Sequence, residues 1–502
     1  MRSRAPDVAY VWHDRAMGSL ADAEAAFLAA REAWDRHGIA VARGLDGAAE
    51  LQADATRLTE RAHAHLAAIA GPRFDEDRRA LELMRRRIAE LGASAEGDPD
   101  DGLYVAFAAA SQTLRVGGDP IQRLAILGRL AREPDRARRR SLFFALEPLW
   151  QAVDGDGGPE SPYRALVTSS PAVSPFAANA DALRIDRDDV EAWCLAILDA
   201  WRDALGDGPS TEPWDWWWAA GEAERALQAR LPVDRLLPIA VAHARALGAD
   251  VESLGIGFDI EPRPARPPVV VAYTEFGGRP RKLADGWSTG KPWVFGSFTL
   301  GGLGELTELV HEIGHAVHIA AIRTRPAFAD WPDSDALTEA LAEVLALDTA
   351  EPEWQQRWIG ASVSEAQAIR GRYADVALDA AWALFEIRML RDPDQRPNDV
   401  WTAITGEWLR IAPHPDLSWW AIRGQLVSEP GYMANYAIGA VLAADLRQRL
   451  RSLLDDEGRW YDVAIERLFR FGLERPSGDV IRDVLGRAPD PQALIAEIAR
   501  MR

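Results

Sequence analysis

Glu305-Leu-Thr-Glu-Leu-Val-His311-Glu312-Ile-Gly-His315-Ala-Val-His318-Ile is the stretch on which the reading of this chain turns. Its apolar residues Leu306, Leu309, Val310, Ile313 and Val317 recur at the spacing of one helix face. Positions four apart on a helix project from the same side, so His311 and His315 can offer two imidazole nitrogens to a single ion. The pattern is H-E-x-x-H, in which Glu312 stands beside the metal and accepts a proton from an activated water rather than ligating. With only nine histidines in the chain, composition gives on the order of 0.01 chance occurrences of that pattern. His318, at i+3 from His315, is expected to lie behind the ligands or partly exposed rather than to be a fourth ligand.

Two imidazoles leave a catalytic zinc site one protein ligand short, because such sites combine three protein ligands with an open position for water. A second strongly helical stretch, Asp335-Ala-Leu-Thr-Glu339-Ala-Leu-Ala-Glu343-Val-Leu-Ala-Leu, carries two carboxylates one turn apart. Packed antiparallel to the first helix after a loop at 323–332, it would deliver Glu339 to the ion. Glu343 would then accept an N–H from a ligating histidine and fix its tautomer. Two histidines, one carboxylate and an open position suit one zinc ion.

Upstream of these helices the texture differs. Pro262, Pro264, Pro267 and Pro268 lead into Val269-Val-Val-Ala-Tyr273, and Trp293-Val-Phe-Gly-Ser-Phe298 follows a Gly-rich turn; both read as short strands of a small sheet. Elsewhere the pattern is helical: Leu20 to about Leu91 with breaks near Gly38, Gly44 and Gly71-Pro72, then Leu124 to Leu149, Val190 to Leu205, Ala219 to Leu247, and Gly304 almost to Arg502. The expectation is a mainly α protein with a small β-sheet before the histidine-bearing helix. Residues 1–210 would form an N-terminal helical lobe and 211–502 a catalytic lobe, the two free to interleave as one large domain.

At 502 residues and 48% hydrophobic content the chain can bury a large core. Its 57 Lys and Arg against 77 Asp and Glu give a net charge of −20, which argues against nucleic acid and anionic membrane as partners. The short basic runs Arg85-Arg86-Arg87 and Arg138-Arg139-Arg140 are expected on solvated helix faces. A single cysteine, Cys194, excludes an intrachain disulfide and a multi-thiolate zinc site. Met1-Arg-Ser-Arg-Ala-Pro6 lacks a secretory h-region and no run approaches roughly 18 apolar residues, so a cytoplasmic protein is expected. The cluster Trp214-Asp-Trp-Trp-Trp218 reads as filling between helices.

His311-Glu-Ile-Gly-His315-Ala-Val-His318 resembles the H-E-x-G-H-x-x-H signature of the thimet-oligopeptidase and oligoendopeptidase F family. Thr338-Glu339-Ala-Leu-Ala-Glu343-Val-Leu-Ala-Leu is similar to the glutamate-ligand helix of the angiotensin-converting enzyme family. The resemblance implies a ligand glutamate at the offset from the second histidine where Glu339 stands, and favours it over Glu343. Pro430-Gly-Tyr432-Met-Ala-Asn-Tyr436-Ala-Ile-Gly439 looks like the helix that sets a tyrosine across the cleft from zinc. It implies that Tyr436, with Tyr432 as second choice, donates a hydrogen bond to the developing oxyanion. Two departures accompany the match. Where the families carry a histidine before that tyrosine, this chain has Gln425-Leu-Val427, with His414 the nearest imidazole; Gly439 takes the place of a second tyrosine. The stretch from Arg281 to Phe298 resembles the strand and loop that bind substrate backbone by strand addition.

Together these resemblances imply a two-lobed helical metallopeptidase with a deep central cleft, hydrolysing internal peptide bonds of short oligopeptides with one zinc ion. A metallocarboxypeptidase or dipeptidyl carboxypeptidase with the same site is the alternative. So are a catalytically weak relative that binds zinc and peptide, and a zinc hydrolase of another amide.

Overall fold

A computed structural model describes residues 19–69, 71–72, 74–93, 102–170, 175–261, 269, 271–454 and 459–502. Met1 to Pro6, the prolines at 262, 264, 267 and 268, and Val270 of the expected strand lie outside the described residues.

The apolar periodicity around His311 becomes the histidine helix, Leu303–Ala321, with Leu306, Leu309, Val310, Ile313 and Val317 all buried. The glutamate helix, Asp335–Ala346, is opened by Ser334, whose hydroxyl accepts from the Leu337 N–H at 3.2 Å. Gly314 meets this second helix so closely that a Cβ there would stand 2.7 Å from the Cα and 2.8 Å from the carbonyl oxygen of Ala342. Backbone atoms cannot swing aside as a side-chain tip can, so the glycine sets the separation of the two helices.

Two further helices close around the pair. The long helix, Glu365–Arg391, starts in a capping box made by Ser364 and Gln367. The tyrosine helix, Met433–Leu453, rests on the glutamate helix at Gly439, where a Cβ would lie 3.4 Å from the Ala336 carbonyl oxygen and 3.9 Å from the Glu339 Cβ. One hydrophobic core with buried residues from Phe107 to Met501 contains all four. Trp214, Trp216 and Trp217 are buried in it against Phe143, Trp201 and Trp419, and Trp218 lies under the Arg225 guanidinium at 3.5 Å.

A second, smaller core belongs to the helices Leu20–Arg43, Ala48–Ala67 and Asp75–Ala93, where Phe27, Leu66, Met84 and Ile88 pack together with Phe328 and Leu473 from beyond the histidine helix. The first of these helices runs through Gly38, where a break was expected, and stops at Gly44 in the left-handed region at φ 56°. Asp330 pins the three-helix unit to the rest: Arg31 reaches it at 2.8 Å, Arg87 at 3.4 Å and Arg279 at 3.2 Å, while Arg279 also bonds Asp35 at 2.7 Å. Burial alone would raise the Asp330 carboxyl, but Arg279, Arg31 and Arg87 bring it down to about 2. Arg139 is a correction to the solvated-face reading, being buried and bonded to Asp215, an inward-facing aspartate that offers it a better partner than water does; Arg87, 39% exposed, keeps a solvated side while reaching Asp330.

The small sheet precedes the histidine helix as expected, with shifted strands. Its order is Gly257–Asp259, Pro292–Phe295, Tyr273–Phe276, the first pair parallel and the second antiparallel. The second expected strand stops at Phe295; beyond it the Ser297 hydroxyl accepts from the Val269 N–H at 2.8 Å. Gly257–Asp259 and the hairpin of Arg281–Leu283 with Gly286–Ser288 were not foreseen; at three residues each they are too short for a period-two pattern. Pro292–Phe295 is central with both edges paired, so the stretch expected to add a substrate strand has no free edge there; Tyr273–Phe276 is an edge strand. Among the described residues no helix is long and apolar enough to cross a membrane.

Substituting Gly314→Ala is expected to force the helix pair apart and destabilise the fold by about 1–3 kcal/mol. Thermal unfolding checks this, and an unchanged midpoint would show that the contact at Ala342 does not set the spacing.

Candidate metal centre

Facing each other across that tight contact, the two helices bring three donors together. His311 Nε2 lies 3.3 Å from Glu339 Oε2, and His315 Nε2 lies 3.7 Å from Glu339 Oε1. The imidazoles stand edge to face, their centroids 4.7 Å apart. One donor atom from each of the three falls within 4.8 Å of the others, a spacing that small side-chain rotations convert to zinc bonds of roughly 2.0–2.2 Å. The Glu339 side chain is 44% exposed against 13% for His311 and 10% for His315, so the cluster opens to solvent on the carboxylate side.

The surroundings suit a cation. Glu343 Oε1 sits 3.1 Å from His311 Nδ1, and Arg372 bonds the other Glu343 oxygen, giving a chain from Arg372 through Glu343 to His311. Burial would raise the Glu343 carboxyl, but Arg372 and the His311 contacts hold it at about 2. On His311 burial opposes charge, and the hydrogen bonds to Glu339 and Glu343 overcome it, so its pKa lies well above 6.5. Burial, aided by His311, lowers His315 to about 4, leaving a neutral imidazole ready to ligate. The Nδ1 of His315 is buried without a hydrogen-bond partner among the described residues. Two imidazoles and an open carboxylate are the donor set zinc prefers, and the residues fit it.

Glu312, next to His311, is buried and accepts from the Thr274 hydroxyl at 2.7 Å. Burial pushes its carboxyl up to about 7 although His311 and Thr274 pull the other way. Thr274 comes from the edge strand Tyr273–Phe276. Nothing in the sequence marks that threonine, since the strand that carries it was expected to end at Tyr273. His318 lies behind the ligands in an apolar wall, stacked on Phe469 at 4.9 Å, and burial lowers its pKa to about 3.

Tyr432, the cap residue before the tyrosine helix, and Tyr436 within it are half-buried, their rings 5.7 Å apart. Gln425, in the window where a histidine was looked for, donates from Nε2 to the Tyr436 hydroxyl at 3.0 Å. His414 is elsewhere, 2.7 Å from Glu212 and against Trp214. Burial raises the Tyr436 phenol to about 12.

The long helix backs this group with residues that sequence reasoning passed over. Arg372 bonds Glu343, Asp379 bonds Arg423 beside Tyr436, and Glu386 accepts from the Met433 N–H at 2.9 Å at the start of the tyrosine helix. The available signal was their seven-residue spacing, which puts three charges on one stripe of a largely apolar helix.

Burial pushes Glu386 from 4.5 up to about 8. In the fold it keeps a proton that the unfolded chain has released, so its contribution to stability falls as pH rises from about 4.5 to about 8. Glu386→Gln keeps an acceptor for Met433 and is expected to flatten that part of the profile of thermal midpoint against pH; an identical slope would refute the burial of a neutral carboxyl. Zinc loading must displace the proton of His311, so affinity is expected to rise with pH and calorimetry in buffers of different ionisation heat to show proton release. Glu343→Gln should weaken zinc binding roughly 10- to 100-fold; full affinity in that variant would deny Glu343 a role in orienting His311.

No family model matches the chain, and no curated protein matches its sequence. Solved structures do resemble it along almost their whole length. The M32 carboxypeptidase from Deinococcus radiodurans R1 aligns at a TM-score of 0.54 and 15% identity, covering 94% of this chain and 95% of that one. A carboxypeptidase from Pyrococcus furiosus aligns at 0.53 and 14%, covering 97% and 99%. A protein provisionally assigned to oligoendopeptidase F aligns at 0.57 and 16%, covering 96% of each chain. The chain thus shares the mainly helical fold, with few small sheets, of these solved structures.

Proposed function

We propose that this protein is a zinc-dependent peptidase of short peptides, with His311, His315 and Glu339 as ligands and Glu343 orienting His311. The observation that carries the reading is the convergence of those three donors beside Glu312, a buried carboxylate held by the Thr274 hydroxyl. The likeness in fold to carboxypeptidases and to an oligoendopeptidase F candidate supports it.

Zinc bound there would polarise a water and the scissile carbonyl. Glu312 takes the proton of the attacking water and passes it to the leaving amine, a double duty helped by the burial that pushes its pKa up to about 7. Thr274 fixes the orientation of that carboxylate. Because Gln425 donates to the Tyr436 oxygen, the phenolic proton is free for an outside acceptor, the oxyanion. Tyr432 is the second choice for this part. The edge strand Tyr273–Phe276, with Thr274 touching Glu312, is where an extended substrate backbone would pair.

Internal cleavage of oligopeptides is the reading that the oligopeptidase resemblance carries. Cleavage from the C-terminus has the two carboxypeptidases of similar fold in its favour. Incubation of mixed oligopeptides with the zinc-loaded protein, read by mass spectrometry, separates them: internal cuts for the first, C-terminal ladders for the second. Glu312→Ala is expected to abolish either, and Tyr436→Phe to lower kcat roughly 100- to 1,000-fold with little change in KM. A folded, zinc-loaded protein that cuts no peptide would instead be a binding relative or a hydrolase of another amide.

A further inference from the structure

Beside the tyrosines the chain holds two guanidinium groups in company that does not balance both. Arg123 opens the helix Arg123–Leu130 and donates at 3.1 Å to the carbonyl of Ile422, the residue before Arg423. Arg423 bonds Asp379 and lies over the rings of Trp382 at 4.6 Å and Tyr436 at 5.8 Å. Among the described residues no carboxylate contacts Arg123, and the charged groups acting on it are Arg423 and Tyr436. Asp375 and Asp379 act on Arg423 instead. Burial and the neighbouring cation lower Arg123 to about 10, so it keeps its charge at neutral pH.

Two cations held close in half-buried surroundings repel, and an anion bridging them relieves the strain, most effectively one whose planar oxygens match the guanidinium fork. The pair adjoins Tyr436, whose helix rests on the glutamate helix within one turn, at Gly439 against Glu339. An anion held at Arg123 would therefore lie beside Tyr436, on the helix that packs against the glutamate helix.

We propose that Arg123, supported by Arg423, anchors a carboxylate of the peptide substrate and so decides which bond is presented to the metal centre. The assignment rests on the peptidase reading. The carboxylate is either the free C-terminal group or an Asp or Glu side chain, and the two predict different products: removal of C-terminal residues in the first case, cleavage at a fixed distance from an acidic residue in the second.

The test uses three alanine-rich pentapeptides: one with a free C-terminus, its C-terminal amide, and the amide with one internal glutamate. Binding to the zinc-loaded Glu312→Gln protein is measured by calorimetry, and turnover with the active enzyme. The parent is expected to bind one of the two carboxylate peptides on the order of ten- to a hundredfold more tightly than the neutral amide. Preference for the free acid identifies the terminal carboxylate, and preference for the glutamyl peptide the side chain. Arg123→Gln should erase the discrimination, raising KM for the carboxylate peptide to that of the neutral amide. Arg123→Lys, which keeps the charge, should retain part of it, and the thermal midpoint of each variant reports folding. Equal binding of all three peptides by the parent, or undiminished discrimination in folded Arg123→Gln, overturns the assignment. Carboxylate-dependent binding with no cleavage would keep the subsite and refute the peptidase reading, whereas cleavage without discrimination would do the reverse.

Discussion

Where Gly314 meets Ala342 the histidine and glutamate helices touch backbone to backbone, and the geometry of the donors follows from that contact. Glu339 reaches both imidazoles with its short side chain because the helix that carries it stands a glycine's width away. The same approach sets Glu343 one turn on, at the outer nitrogen of His311. Gly439 repeats the device on the other face, letting the tyrosine helix lie on the glutamate helix beside Glu339 itself. Three backbones at close quarters leave the side chains few orientations, which is what a site built from rigid elements needs.

Around this packing runs a buried polar frame. Arg372, Asp379 and Glu386 project from one stripe of the long helix, each bonded to a different part of the centre. Charges so placed would be costly alone, and two of the three are offset by an opposite charge while the third keeps its proton through burial. Arg372 and His311 keep Glu343 firmly ionised while burial raises Glu312 to about 7 on the adjoining helix, so neighbouring carboxylates can serve opposite purposes.

The mainly helical fold and the small sheet ahead of the histidine helix were legible because amphipathic periodicity over several turns is a strong signal. The pairing of His311, His315 and Glu339 was legible for a related reason: helical spacing places side chains on a face, and the faces of two strongly apolar helices have few ways to meet. What the sequence hid depends on contacts between distant segments. Thr274 meets Glu312 across 38 positions, and Arg123 reaches the carbonyl of Ile422 across 299. Arg139 reads as surface charge because its aspartate partner, Asp215, lies far along the chain. Gly38 shows the opposite error, since the roughly 1 kcal/mol that a glycine costs within a helix is outweighed by the packing of the flanking turns.

The first three helices are more than an appendage. Their core is completed by Phe328 and their charges are met by Asp330, and both residues lie in the loop that joins the histidine helix to the glutamate helix. A chain trimmed to begin after residue 93 would leave a buried aspartate without Arg31 and Arg87 and open Phe328 to water. The loop that sets the start of the glutamate helix would lose its outer wall, and with it the restraint on where the third donor sits. The N-terminal unit is in that sense a distant part of the metal centre, joined to it through that loop and through Arg279 beyond the edge strand.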